Sequence, residues 1–362
     1  MNPKVTVMVA NYNTSQFLAS CLDSLCNQTY KDFEVLVIDD GSTDNSVDII
    51  DRYIQHDRRF RLIKLGRNHG LTHARHIALH QCKGEYVAIL DADDIALPSR
   101  LEKQTDFLDT NPDVVLLGSY FGIIDPEGKI KERKKPVPLA DLEIRWRLTF
   151  GNCYSHSSIM YRKEPAMNCG GYDKTMLIAE DVDFYSRIIA LGEAAAIGEV
   201  LVYWRNHPKS LTQFSKQAQI DKYSLIILQN AIKLHTGQSV DKNVANAVFF
   251  NTMIPAVSLS VFKDGIKVLM HAFEVFLTSD RVGQLSLNRR TLSRCLLKHL
   301  FKIYKRNHEQ EWWKEGQADW IDALNKLLNH YKYRWYTDWH ELRYKFKLCR
   351  LFLFLLLQHD RA

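Results

Sequence analysis

The sequence has no CxxC pair. Its seven cysteines run from Cys21 to Cys349, odd in number and irregular in spacing, which excludes a disulfide framework and a zinc knuckle and reads as buried thiols in a reducing compartment. Long hydrophobic runs are also missing: Leu351 to Leu357 are seven consecutive apolar residues, far short of the roughly 20 that cross a bilayer. The start, Met1, Asn2, Pro3 and Lys4, enters a strand-like run at once, without the charged, apolar and cleavage regions of a signal peptide. Cytoplasmic residence is the resulting expectation. No recognised nucleic-acid-binding motif accompanies the basic residues, so nucleic acid is not expected as a partner.

What is present is ordinary globular material. The 362 residues are 46% hydrophobic and 25% charged, enough for one large or two modest domains. The net charge of +6 is uneven, because residues 281–362 hold 17 Lys or Arg against 8 Asp or Glu. That basic end has a task or a partner of its own.

The first third alternates apolar β-rich runs (5–10, 34–38, 60–65, 86–90 and 114–118) with stretches of helical spacing (15–27, 44–56, 71–81 and 99–109). Continuous apolar strands each followed by a helix predict a doubly wound α/β domain with a mostly parallel sheet covered on both faces. Pro126, Glu127 and Gly128 mark a turn before a basic run, Lys129 to Lys135, which predicts an exposed hairpin. Residues 141–150 and 180–191 read as helices and 155–162 and 197–204 as strands, and from about residue 216 the periodicity is helical throughout. The expected division is a domain at 1–215 and a mainly α-helical C-terminal region at 216–362.

In such sheets ligands bind beyond the carboxyl ends of the strands. The fourth strand runs into Asp91, Ala92, Asp93 and Asp94, where mutual repulsion calls for a cation, and a divalent metal such as Mn²⁺ or Mg²⁺ that also takes substrate phosphates is the obvious candidate. A capped loop with solvated acids is the plainer alternative. Asp39 and Asp40 precede Gly41, Ser42, Thr43 and Asp44; capping accounts for part of this run, and a nucleobase or ribose donor would account for the adjacent carboxylates. Arg75 lies one turn into the helix after His69 and Gly70, suited either to a phosphate or to an ion pair with one of the acids, while His73 and His76 beside it receive no role. Glu180 and Asp181 open a helix after the Gly170, Gly171, Tyr172 and Asp173 turn; the macrodipole favours acids there, and Asp181 also suits a general base. Arg205 and His207 follow a strand, the first able to contact phosphate and the second able to ligate metal, and His156 is ambiguous.

Taken together, VTVMVANYN at 5–13, QTYKDFEVLVIDDGSTDNS at 28–46, RNHGLTHARHIAL at 67–79, GEYVAILDADDIALPSRLEKQ at 84–104, AEDVDFYSRI at 179–188 and YWRNHPKSLT at 203–212 resemble glycosyltransferase family 2, in its order and spacing over residues 3–215. The resemblance implies a GT-A, Rossmann-like fold and an inverting transfer from a nucleotide-diphosphate sugar, with UDP the favoured carrier, to a hydroxyl of a glycan or lipid-linked acceptor, as in cell-surface polysaccharide synthesis. By it Ala10, Tyr12 and Asp40 would hold base and ribose, with Arg75 nearby. Asp91 and Asp93 would form the DxD element, Asp91 towards ribose or metal and Asp93 towards metal. Asp181 would be the catalytic base, Gly170, Gly171, Tyr172 and Glu180 would border the acceptor, and Arg205 and His207 would face the diphosphate.

Two other readings compete. A metal-dependent phosphohydrolase also carries an apolar strand before DxD, but there a small residue and then Thr or Val follow, against Asp94 and Ile95 here. A sugar-nucleotide binder that keeps the fold without catalysis is the other. Residues 331–357 interleave Tyr, Trp, Lys and Arg ahead of the apolar run, which suits a helix lying on an anionic membrane at the inner face of the cell membrane, or one docked on its own domain or on a second subunit as a homo-oligomer.

Overall fold

A computed structural model describes residues 2–176, 179–208, 210, 217–249, 256, 258–278 and isolated positions between 292 and 322. The strands are β1 (Val5–Asn11), β2 (Phe33–Asp39), β3 (Phe60–Lys64), β4 (Tyr86–Ile89), β5 (Ile95–Ala96), β6 (Val114–Ile124), β7 (Ile130–Lys135), β8 (Met160–Arg162) and β9 (Glu193–Arg205). They form one sheet in the order β3-β2-β1-β4-β8-β6-β9-β5, with β7 paired to β6. The β3-β2-β1-β4 half is wholly parallel, and β6 runs parallel to β9. The sheet becomes mixed where β8 pairs antiparallel with β4 and β6, and where β5 and β7 return against β9 and β6. The short β5 was not foreseen.

Alternate residues of the central strands point to opposite faces, as the period of two requires. Val5, Val7, Val9, Val35 and Val37 meet α1 (Ser15–Cys26), α2 (Ser46–His56) and α4 (Arg100–Thr110) through Leu18, Leu22, Ile50, Leu101 and Leu108. Met8, Leu36, Ile38, Val87 and Ile89 meet α3 (Leu71–Gln81) and α7 (Glu180–Ile188), with the small α6 (Lys163–Asn168) at their edge, through Ala74, Ala78, Phe184 and Ile188. Because both faces are covered, the strand sequences carry no polar alternation. Two expected elements are shorter than anticipated. Residues 155–162 make a single 3₁₀ turn at His156–Ser158 before β8, and the Ser158 hydroxyl donates to the Ser155 carbonyl at 2.7 Å, a local bond that competes with strand pairing. The helix from Glu180 stops at Ile188 and tightens into a 3₁₀ turn ahead of Gly192.

The helix α5 (Asp141–Thr149) joins the sheet to the C-terminal helices α8 (Gln217–Thr236), α9 (Lys242–Val248) and α10 (Leu259–Thr278). Asp241 caps α9 by accepting from the backbone of Asn243 and Val244 at 2.7 and 3.2 Å. Ile144 and Leu148 of α5 face the sheet, while Leu142, Trp146 and the following Phe150 enter a second core with Leu228, Ile232, Phe262, Leu269 and Phe273. No helix among the described residues is long and apolar enough to cross a membrane. Residues 331–357 lie outside the described residues, so the membrane and subunit expectations for them meet no structure.

Trp146 is fully buried at this junction. Trp146→Ala is expected to lower stability by about 3–5 kcal/mol, read from a urea denaturation midpoint; a loss below about 1 kcal/mol would mean that Trp146 does not anchor α5 in the second core.

Candidate active site

The carboxyl ends of β1, β2, β3 and β4 place four loops side by side, and backbone and side-chain hydrogen bonds lace them together. The Asp40 N–H donates to the Asn11 carbonyl at 2.9 Å. The carboxylate of Asp39 accepts from Asn11 Nδ2 at 2.7 Å and from the Ser42 hydroxyl and N–H at 2.5 and 3.0 Å. The carboxylate of Asp40 accepts the backbone N–H groups of His69 and Gly70, each at 2.8 Å. So the donors that answer this acidic pair are protein groups, and Asp40 ties the β2 loop to the loop entering α3. Gly41 makes that approach feasible: its φ is +76°, and a Cβ would lie 2.4 Å from the Arg67 carbonyl carbon. Ala10 is half-buried beside these loops, and Tyr12 exposes 44% of its surface at their rim.

At the tip of β4 the three acids separate. Asp94 is fully buried, accepting from the Ser157 hydroxyl and from the Arg205 N–H at 2.8 Å. Burial pushes its pKa well up, as does repulsion from Asp93 and Asp91. Asp93 accepts or shares a proton with His207 Nε2 at 2.8 Å, and its pKa is also raised by burial and by Asp91, with His207 opposing. Asp91 pairs through Oδ1 with Arg75 Nη2 at 2.5 Å, and no described residue bonds its Oδ2. The buried Arg100 lies behind the loop and donates to the Ile89 and Ile159 carbonyls at 2.7 and 3.1 Å. At this strand tip Arg75 pairs with Asp91 and His207 meets Asp93, while among the described residues Arg100 and the Arg205 guanidinium bond no carboxylate.

Arg75 is fully enclosed and bridges two elements: Asp91 on one side and Glu180, the first residue of α7, on the other. Burial pushes Glu180 up to about 7 against the opposing pull of Arg75. Asp181 follows, half-buried, accepting from the Val182 N–H at 2.9 Å and from Asn152 Nδ2 at 3.3 Å. Burial raises its pKa too, with Arg75 pulling down and Asp91 pushing up. A half-buried carboxylate of raised basicity, with only weak protein donors, is able to accept a proton.

Of the expected residues, Asp40, Arg75, Asp91, Asp93, Asp181 and His207 surround the same loop cluster. Arg205 is close as well, but its guanidinium donates to the Asp93, Asp125 and Pro126 carbonyls at 2.7, 3.2 and 2.9 Å while lying 5.0 Å from the Phe17 ring centre, so it braces the loop from behind. In the turn before α7, Gly170 is exposed, Gly171 is buried, and the Tyr172 ring is fully enclosed, stacked on Phe184 at 4.7 Å with its hydroxyl 3.2 Å from His156 Nε2. Glu180 is likewise enclosed. Ser157 and Asn152 touch the site without having been anticipated; nothing in their surroundings in the sequence marks a lone Ser or Asn as facing a carboxylate.

Among the described residues no three His, Cys, Asp or Glu side chains are arranged as a closed metal site. Asp91 and Asp93, with side chains 32% and 21% exposed, nonetheless fit a hard cation held by one or two carboxylates and completed by water and phosphate.

A family model described as glycosyl transferase family 2 matches residues 6–170. The chain is similar to the uncharacterized glycosyltransferase MJ1057 of Methanocaldococcus jannaschii, 36% identical over 228 residues that cover 62% of this chain and 78% of that protein. It is also similar to the O-antigen biosynthesis glycosyltransferase WbnJ of Escherichia coli, 32% identical over 61% of this chain and 87% of that one. Among solved structures, S. aureus TarS 1–349 in complex with UDP-GlcNAc aligns over 86% of this chain and 92% of its own at TM-score 0.57 and 19% identity. The mannosyltransferase PcManGT of Pyrobaculum calidifontis, in complex with GDP-Man and Mn²⁺, aligns over 92% and 89% at TM-score 0.54 and 19% identity. At these identities the structures speak to fold: a GT-A-like sheet followed by helices.

Removing Arg75 leaves Glu180 buried without its cation. Arg75→Met is expected to cost about 3–5 kcal/mol, and Arg75→Met combined with Glu180→Gln to recover part of it. Equal losses in the single and double variants, measured by chemical denaturation, would show that the bridge is not what holds α3 against α7.

Proposed function

The chain belongs to glycosyltransferase family 2, and on that premise we propose that it is an inverting transferase that moves a sugar from a nucleoside-diphosphate sugar to a hydroxyl of a glycan or lipid-linked acceptor in cell-surface polysaccharide synthesis. The observation that carries the reading is the Arg75 bridge, which brings the α7 carboxylates to the acidic loop at the end of β4. A donor diphosphate over Asp91 and Asp93 would therefore have its anomeric carbon near the start of α7. The relatives and neighbours support a nucleotide-sugar donor in general: one neighbour is titled with UDP-GlcNAc and the other with GDP-Man. UDP remains our proposed carrier, with Ala10 and Tyr12 bordering the base and the Asp40-braced loop shaping the ribose site.

In the proposed reaction Asp181 accepts the proton of the acceptor hydroxyl as that oxygen forms a bond to the anomeric carbon. The bond from that carbon to the diphosphate oxygen breaks with its electron pair leaving on the nucleoside diphosphate. One displacement inverts the configuration and needs no covalent enzyme intermediate. Asp91 and Asp93, with His207 beside them, would hold a divalent cation, which when bound supplies Lewis-acid neutralisation of the departing diphosphate. Arg205 acts at one remove, by fixing the backbone of the Asp93 loop. Gly170 at the exposed edge of the turn before α7 is the proposed acceptor border, and residues 331–357 the proposed membrane contact.

Asp181→Asn is expected to reduce transfer by about 10²–10⁴-fold while donor binding, followed by thermal shift across a panel of nucleotide sugars with Mn²⁺, stays as in the parent. Transfer at the parental rate would remove Asp181 as the base. The pH profile gives a second check. The base works ionised, and burial raises its pKa, so kcat/KM should fall as pH drops through a value above the usual carboxylate range. An acid limb lying at or below that range would contradict the assignment.

A further inference from the structure

Four histidines, His69, His73, His76 and His80, follow one another at intervals of four, three and four residues through the start and length of α3. That spacing lines one face of a helix. The face points outward: His69 and His80 are exposed and His73 and His76 half-exposed, whereas the intervening Ala74, Arg75, Ala78 and Leu79 are buried. Rings pair along it, His69 with His73 at 4.8 Å between centres and His76 with His80 at 4.6 Å.

The second pair differs from the first in its hydrogen bonds. His76 Nδ1 lies 2.9 Å from the Tyr172 carbonyl, and His80 Nδ1 lies 2.9 Å from the His76 carbonyl. A carbonyl only accepts, so both Nδ1 atoms carry the proton and both Nε2 atoms present a lone pair. An imidazole whose other nitrogen donates to a backbone carbonyl is the form that ligates metal, with its tautomer and ring orientation already set. The ring spacing agrees: a cation about 2.1 Å from each Nε2 holds the ring centres about 4.5–5 Å apart. Rings of the first pair are close to parallel, at 21°, and His69 Nε2 instead faces Arg67 Nε at 3.4 Å.

We propose that His76 and His80 form a surface site for a borderline transition cation, Zn²⁺ or Cu²⁺, with water completing its coordination. Imidazole pairs suit these ions, whereas the carboxylates of Asp91 and Asp93 suit hard ones. The site is independent of the transferase reading. It does reach the same helix, since His76 adjoins Arg75 and also holds the Tyr172 carbonyl. An ion there would clamp two turns of α3 and the turn that precedes α7. Burial lowers the pKa of His76, with the Tyr172 carbonyl opposing and His80, Lys174 and His73 adding to the lowering.

The test is titration of the untagged full chain with Zn²⁺ by calorimetry and with Cu²⁺ by electron paramagnetic resonance. One equivalent that persists in Asp93→Asn is expected, with hyperfine coupling to two nitrogens. His80→Ala should weaken Zn²⁺ binding by about 100-fold, and His80→Gln similarly. His73→Ala and Asp93→Asn should leave it within about twofold. Since His80 is exposed, both His80 variants should keep the parental melting temperature without metal. Parental affinity in His80→Ala, loss of binding in Asp93→Asn instead, or coupling to fewer than two nitrogens would each overturn the proposal.

Discussion

A single enclosed guanidinium holds the site in its shape. Arg75 has no water to turn to, and a buried cation costs several kcal/mol unless acids meet it directly. Asp91 and Glu180 do so from two different elements, and the arrangement closes only when α3, the end of β4 and the start of α7 converge. The electrostatic requirement of one side chain therefore acts as a geometric restraint on three parts of the chain. It also sets the surroundings of Asp181, which sits next to one partner of the bridge and feels the charge of the other.

The rest of the acidic loop obeys the same logic of individual partners. Asp94 is turned inward and answered by Ser157 and the Arg205 backbone, and Asp93 meets His207. Asp91 Oδ2 and Asp93 Oδ1 are the carboxylate oxygens of this loop without a described partner. A strand tip with three carboxylates can thus offer a cation a place while each acid keeps a protein partner of its own.

The sheet and its helices were legible because burial on both faces writes continuous apolar runs, and because Gly and Asp mark where each run ends. The hairpin at Pro126–Gly128 was legible from its Pro and Gly turn and the basic, exposed run that follows. Orientation was harder to read. A cationic residue just after a strand looks the same whether it faces a phosphate or three carbonyls, and Arg205 turns out to engage carbonyls. The family resemblance puts Tyr172 and Glu180 at the acceptor border; here packing against Phe184 and pairing with Arg75 draw them inside. The serines at 155–158 show the limit of periodicity, since local hydroxyl bonds replaced a strand with a turn.

The helix α5 is read by two cores at once, its Ile144 and Leu148 belonging to the sheet and its Leu142 and Trp146 to the helical region. Among the described residues, α5 packs into both cores, so a boundary drawn near residue 215 does not coincide with a gap in the packing. A recombination cut at that point would leave the Trp146 indole and the Phe150 ring without the described helices that cover them.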